Sequence, residues 1–440
     1  MYGPPPDASE QLLDLSSLSW SWLVCVAIGL GITAIALYKR LPHWLRALTF
    51  VVGQVVALTS PFAALLRTHV LGSWPTVDKT GSLLFYTDGV HHRMLSAPVE
   101  SLSDPAARLI GVHVGHLWLV EFFDLFVEPF AAYNLQAMLW IIIGWYGAAL
   151  FVKEVGTGWR DALILGFPFG MGLHVFRDLN WYTVEKMAVG LLAIFAWTMI
   201  KCHKEGGRWC WAAALTFLGM AWVNWYLGLV GAVGGAMLLV MTRNKGVLRA
   251  CVLCTVLSLP LVCWQLALLS GDETLGDPEV YLYERAMLDS FTLYPPTWNR
   301  LEAWRAINVP IVGLALFTFF RRGHRYVAAL GLMGAVFFVI ALGPKLTEDL
   351  WNPLYMALHA VVPGFWRVAK PEVFFEGTYL CLLGLAARAV DRPLPGWLYP
   401  LLVIGWLAVV RTHPAFPPVA EYQHYELSED WMKRLPGDRR

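Results

Sequence analysis

The sequence predicts an all-α membrane protein: a polytopic bundle of about twelve transmembrane helices, with ten to thirteen as the range, and interfacial helices in its outer loops. Three observations lead there. Charge is scarce, since Asp, Glu, Lys and Arg make up 15% of the 440 residues, against about 25% in a soluble globular protein. Apolar runs of roughly 20 residues, the length of one bilayer crossing, recur along the chain. Lys and Arg gather in short connections: the loops at 38–46, 153–160, 201–208, 243–249, 321–325 and 388–392 hold 16 of the 33 basic residues within 42 positions. By the positive-inside rule those loops face the cytoplasm. Both termini then lie outside, with the long segments 67–130, 270–308, 344–371 and the tail from 411.

The spans follow in order. The first apolar run, Trp20–Leu37, comes after an acidic stretch (Asp7, Glu10, Asp14) that has no Lys or Arg. That is the wrong flank for a cleaved signal peptide, which begins basic, so 18–37 reads as a retained span. The next are 47–66, 131–152, 161–176, 187–200, 209–224, 227–242, 250–269, 309–320, 326–343, 372–387 and 394–410. Within 209–242 the turn signal is Asn224-Trp225-Tyr226, and the division into two spans rests on it. Inner connections of this size leave no room for a site, which places function on the outer face, the periplasmic one in a bacterial inner membrane. The net charge of +1 comes without a basic stripe and gives no footprint for nucleic acid. Cys251 and Cys254 form a CxxC with no second pair at zinc spacing, and the seven cysteines read as small apolar helix residues.

The outer segments hold the unusual chemistry. "TVDKTGSLLFYTDGVHHR" (76–93) sets Asp78, Asp88, His91 and His92 between hydrophobic blocks. "ARLIGVHVGHLWLVEFFDLFVEPF" (107–130) puts His113, His116 and Asp124 at helical spacing among apolar residues, flanked by Glu121 and Glu128. It reads as an amphipathic helix in the interface with solvated charges and Trp118 as anchor; the His pair alone is a thin basis for a metal. "WNPLYMALHAVVPGFWRVAKPEVFF" (351–375) reads as a second interfacial helix that runs into Arg367 and Lys370. Pro363-Gly364 and Pro371 break the helix around that pair. Irregular backbone at membrane depth persists only where protein or a wet cavity covers it, so the pair is expected to face an enclosed polar cleft.

Several stretches resemble bacterial GT-C-type membrane glycosyltransferase-like proteins. "EPFAAYNLQAMLWIIIGWYGAALFVKEV" is similar to a span of that group with Pro, then Ala-Tyr-Asn, then Gly. "DALILGFPFGMGLHVF" resembles the span that follows, "NWYLGL" the aromatic turn, and "VPGFWRVAKPEVFFEGTYLCLLGLAARAV" the late block of Pro-Gly-Phe, Arg and Pro-basic-aromatic. "VDKTGSLLFYTDGVHHRML" resembles the first outer loop, in which an Asp precedes Gly and an aromatic pair. The likeness covers about residues 45–410, and the order of the pieces carries it. It divides the chain into 1–44, an additional N-terminal span; 45–411, the GT-C-like domain; and 412–440, an outer tail. Relatives often carry an outer soluble domain there; in this chain the expected tail holds none.

The resemblance implies transfer of a sugar from a polyprenyl-phosphate carrier to a glycan, lipid or protein acceptor at the outer face, with inversion. Membrane lipids and the polyprenyl-phosphate sugar are the implied partners, no cofactor beyond that donor is certain, and a divalent metal is left open. Asp78 sits at the position of the general base that takes the acceptor proton, with Asp88 beside it. Arg367 and Lys370 suit the leaving lipid phosphate, with Arg177 next; His91, His92 and Glu185 complete the substrate contacts. Plainer readings stand beside these. Asp78 and Asp88 lie in turn compositions, and His91 and His92 suit an interface. Arg177, Asp178 and Glu185 suit a structural ion-pair cluster, and Arg367 and Lys370 suit snorkelling to headgroups. Two other function classes remain: a transporter or flippase of a lipid-linked substrate, although span interiors lack the charges such proteins tend to carry, and a non-catalytic assembly protein on the same fold.

Overall fold

In a computed structural model, each of the twelve apolar segments is a helix. The structure describes residues 20–37, 40–60, 69–71, 114–127, 129–172, 175, 187–269, 309–320, 325–346, 350–362, 365, 371–390, 393–412 and 419–421. The twelve helices are α1 (Trp20–Ala36), α2 (His43–Leu58), α4 (Pro129–Val155), α5 (Trp159–Gly170), α6 (Val189–Glu205), α7 (Arg208–Val223), α8 (Trp225–Thr242), α9 (Lys245–Leu269), α10 (Val309–Phe320), α11 (Arg325–Ala341), α13 (Phe374–Ala389) and α14 (Leu398–Thr412). Two further helices, α3 (Val114–Asp124) and α12 (Pro353–Val361), fall where interfacial helices were expected. Among the described residues, three helices are long and apolar enough to cross a membrane by themselves, at Ala131–Val155, Trp225–Thr242 and Lys245–Ala267. α5 and α10 have 12 residues each, ~18 Å at 1.5 Å per residue, short of the ~30 Å hydrocarbon core. The structure also adds to the all-α expectation. β1 (His69–Leu71) pairs antiparallel with β2 (Val419–Glu421), His69 opposite Glu421 and Leu71 opposite Val419, and β1 packs against α4.

The single-residue turn at Asn224 is real. Val223 ends α7 and Trp225 starts α8, and the Asn224 side chain accepts from the N–H groups of Tyr226 and Leu227 at 2.9 and 3.4 Å. An asparagine is among the best residues for this cap because its short carbonyl reaches the orphan donors of the first turn.

Two helices form the centre. α4 is apolar on all sides, as a helix surrounded by others must be, and it buries Tyr133, Trp140, Ile141, Trp145, Phe151 and Val152. α13 buries nearly every residue from Phe374 to Ala389 and packs on α4, α5, α10 and α11. Around α4 the packing is backbone to backbone. A Cβ on Gly170 of α5 would lie 2.3 Å from the Trp145 nitrogen, and one on Gly190 of α6 would lie 2.5 Å from the Gly144 nitrogen. Without water to drive helices together in lipid, close approach over small residues supplies the contact energy. Gly190→Ala is therefore expected to destabilise the protein by about 1–3 kcal/mol, the usual cost of overpacking, read as a fall in melting temperature in detergent. The same change at Gly219, which faces open space, should leave it unmoved.

One end of the bundle collects the basic loops. Tyr146 donates to the Trp44 carbonyl at 3.2 Å. Lys204 donates to the carbonyl and carboxylate of Glu154 at 2.9 and 2.7 Å. Asn244 donates to the His203 carbonyl, Asp161 accepts from the Leu394 nitrogen at 3.0 Å, and Arg160 donates to the Leu394 carbonyl. Loops 38–46, 153–160, 201–208 and 243–249 thus meet at one end with the α13–α14 connection; 321–324 lies outside the described residues. Lys201 bonds Glu205 at 2.6 Å. That bond raises the Lys201 ammonium and lowers the Glu205 carboxyl relative to their ordinary values. Buried at the same end, the Cys202 and Cys210 sulfurs stand 2.8 Å apart and both point to the Gly246 carbonyl.

The opposite end holds α3, the Asn224 turn and α12. Gly115 of α3 lies against the Trp222–Val223 backbone, and Trp118 packs edge-on to Trp222 at 5.0 Å. Trp118, Phe122, Leu125 and Phe126 are exposed at 42, 53, 72 and 72%, as an interfacial helix requires. His116 departs from the solvated reading: it is 1% exposed, with its carbonyl accepting from Gln136 at 2.7 Å. The helix lies on α4, not beside it in the headgroups, so one polar side chain is carried inward. α12 is tied to α11 through Asn352, whose amide nitrogen donates to the carbonyls of Val339 and Gly343 at 2.6 and 2.8 Å and whose oxygen caps Tyr355.

Candidate functional site

A groove of about 420 Å³ runs between α8 and α9. Its floor is small and apolar: Gly228, Gly231, Ala232, Gly235 and Ala236 of α8 keep that helix thin, with Phe195 and Phe217 behind. Leu259, Val262 and Leu266 of α9 form the facing wall, with Thr255, Ser258 and Gln265. The polar groups on that wall are engaged within the protein, Ser258 with the Cys254 carbonyl at 2.6 Å and Gln265 with the Ala221 carbonyl at 3.1 Å, so the groove presents hydrocarbon to an occupant. Ala232 and Ala236 are exposed, which opens it sideways. From Trp225 to Leu239 the lining extends 14 residues along α8, ~21 Å of helix.

The mouth of the groove at the α12 end is formed by Trp225, Gln265, Leu266 and Val362. Val362 follows α12 directly, which joins the groove to the segment that carries the expected phosphate-binding pair. Two buried anchors fix the ends of that segment. Phe365 is fully buried between Tyr355 and Phe374, with ring centroids at 5.1 and 5.6 Å, and the 3₁₀ turn Pro371–Val373 leads into α13. Arg367 and Lys370 lie between these anchors, outside the described residues.

In the last turn of α12, sequence reasoning missed His359. It stacks on Tyr355 at 6.5 Å, and its Nε2 is buried without a partner among the described residues. Burial holds its imidazole below the ordinary value, so it is neutral at pH 7 and free to accept or donate one hydrogen bond. The signal in the sequence was a lone histidine on the apolar side of an interfacial helix, which reads more simply as a filler.

A second feature lies near the N-terminus of α4. Asn134 and Gln136 are fully buried and Trp140 is 3% exposed. Gln136 spends its nitrogen on the His116 carbonyl, yet its Oε1 and the indole nitrogen of Trp140 have no partner among the described residues. An unmet acceptor and an unmet donor one turn apart on one helix cost about 1–3 kcal/mol each when left dry. They suit water or a hydroxyl-bearing ligand.

The remaining expected site residues, Asp78, Asp88, His91, His92, Arg177 and Glu185, also lie outside the described residues. What the structure does fix is where their segments begin and end. β1 stops at Leu71, ahead of the Asp78 loop, while buried Val175 and Met187 flank the stretch with Arg177 and Glu185. Glu121 and Asp124 stand on α3. No group of three or more His, Cys, Asp or Glu side chains is arranged for a metal among the described residues. Compared with known protein families, with curated proteins and with solved structures, the chain finds no match.

Proposed function

We propose that this chain is a GT-C-type integral membrane glycosyltransferase that moves a sugar from a polyprenyl-phosphate donor to a glycan, lipid or protein acceptor at the outer face of a bacterial inner membrane. In this reading the bundle is polytopic, with about twelve crossings, and both termini and the outer loops lie on the periplasmic side. The observation that carries the proposal is the groove. It is apolar along its length and ends at Val362, five residues before Arg367. A prenyl tail held there would bring its phosphate to the outer mouth, within the region of Arg367 and Lys370.

The chemistry then follows. Asp78 removes the proton from the acceptor hydroxyl as that oxygen attacks the anomeric carbon, with Asp88 in support. The bond from anomeric carbon to phosphate oxygen breaks, the configuration inverts, and polyprenyl phosphate leaves with its charge held by Arg367, Lys370 and Arg177. His91, His92 and Glu185 contact the sugar, and the unmet amide oxygen of Gln136 and indole of Trp140 suit its hydroxyls.

The test is transfer by purified full-length protein from polyprenyl-phosphate sugars, assayed with binding of the same donors. Arg367→Ala is expected to weaken donor binding by about 1.5–3 kcal/mol, roughly 10- to 150-fold, and Arg367→Lys to restore part of it, because a point charge replaces a bidentate fork. Unchanged donor affinity would return Arg367 to snorkelling. Donor flux across proteoliposomes without transfer would favour a flippase.

A further inference from the structure

We infer that the turn between α8 and α9 is a binding site for the headgroup of an anionic glycerophospholipid in the leaflet at the basic-loop end of the bundle. A concavity of about 400 Å³ opens there, lined by Leu239, Val240, Arg243, Asn244, Lys245 and Leu248. Its walls are for lipid: Val240 is 73% exposed and Leu248 49%, side by side with two cations and no carboxylate.

The charge pattern calls for an anion. Most other basic side chains at this end are engaged. Lys201 and Lys204 bind Glu154, Arg160 binds the Leu394 carbonyl, Arg46 the Ala36 carbonyl, and Lys153 sits over Trp159. Arg243, Lys245 and Arg249, by contrast, make no ion pair among the described residues. Lys245 and Arg249 also occupy the first two turns of α9, where the positive end of the helix dipole disfavours cations. Asn244 takes up the Gly246 and Val247 donors, which caps the helix but adds no negative charge. Two like charges on the positive end of α9, with Arg243 beside them at the close of α8, are an unfavourable arrangement that a bound phosphate relieves.

The backbone supports the same reading. Arg243 has φ 49° and ψ 32°, the sole non-glycine residue at positive φ among those described. This is the left-handed closing position of α8, which glycine or asparagine fills at least cost. An arginine there gives up conformational ease and sets its guanidinium at the level of the headgroups. The apolar walls commit the site to a lipid and not to a free phosphate, since only a lipid covers Val240 and Leu248 at the same time.

The test uses the full-length protein in zwitterionic detergent, titrated with phosphatidylglycerol or phosphatidylcholine, with apparent affinity read from the lipid-dependent rise in melting temperature. Phosphatidylglycerol should stabilise and phosphatidylcholine should not. Each cation near an anionic lipid surface contributes ~1 kcal/mol, a factor of about five, so Arg243→Gln with Lys245→Gln should lower affinity ~25-fold without changing the melting temperature in detergent alone. Arg40→Gln, which removes one exposed cation from the same end, should cost at most about twofold. Three results overturn the site: an undiminished response in the double variant, an equal loss per cation in Arg40→Gln, or competition by millimolar glycerol phosphate. If the double variant melts lower in detergent alone, its affinity is read instead by native mass spectrometry, where an unchanged phosphatidylglycerol adduct overturns the site equally.

Discussion

Leucine at both Ala232 and Ala236 is expected to close the groove and lower affinity for a polyprenyl-phosphate sugar by about 10³-fold or more, with the fold intact. The magnitude follows from hydrocarbon. Each added branch displaces about three methylenes of the occupant at ~0.8 kcal/mol apiece, roughly 5 kcal/mol for the pair. The fold should survive because both alanines are exposed and line an opening, so the new side chains enter space and not a packed core; small-to-large changes cost stability where no such space exists. Val256→Leu is the matched control, since Val256 stands on α9 at 60% exposure and faces away from the groove. Melting temperature and donor affinity measured together separate the outcomes. A melting temperature that holds while affinity collapses supports a tail site between α8 and α9. Full affinity in the double variant would move the tail elsewhere and remove the main support for a lipid-linked donor.

The helices were legible and the site was not, for a physical reason. An apolar run signals a helix through its own residues, so α1, α2, α4 and the others appear where the runs lie, and Asn224 marks a helix start because its side chain caps its own next turn. The basic loops were legible for the same local reason, and the structure joins four of them at one end. The groove is different. Gly228, Gly231 and Gly235 are visible in the sequence as a thin face, but only the separation of α8 from α9 turns that face into a channel. The Cys202 and Cys210 contact depends on how α6 and α7 fold back around Gly206 and Gly207, and the pairing of His69 with Glu421 joins positions 352 residues apart. His116 and His359 show the same limit: hydropathy gives a helix its stripe, and the partner helix decides which polar group on it becomes buried. Arg243 gave no sign, because arginine in a basic loop is expected and its left-handed backbone is not written in residue type.

Asp78→Asn is expected to reduce turnover by about 10²–10⁴, the usual loss on removing a general base, while donor binding and expression stay near normal. The argument starts from the company Asp78 keeps. In a chain with 15% charged residues, the stretch 78–93 gathers two aspartates and two histidines between the segments of α2 and α3. β1 ends at Leu71 and packs against α4, and β2 from the tail pairs with it, so the loop leaves from a point pinned beside the central helix. In the proposed reading, Gly81 and Gly89 would allow sharp turns and Leu83, Leu84, Phe85 and Tyr86 would rest on the membrane surface, which would bring Asp78 to the depth of a lipid phosphate. The amide of asparagine keeps the shape and the hydrogen-bond acceptor but not the basicity, so the substitution separates chemistry from structure. The same change at Asp88 should cost less, and the pH profile of the wild type should show an acid limb that Asp78→Asn removes. A fall in melting temperature of several degrees with a proportionate fall in activity would make Asp78 a turn residue. Undiminished activity would shift the base to Asp88, or to Glu121 or Asp124 on α3.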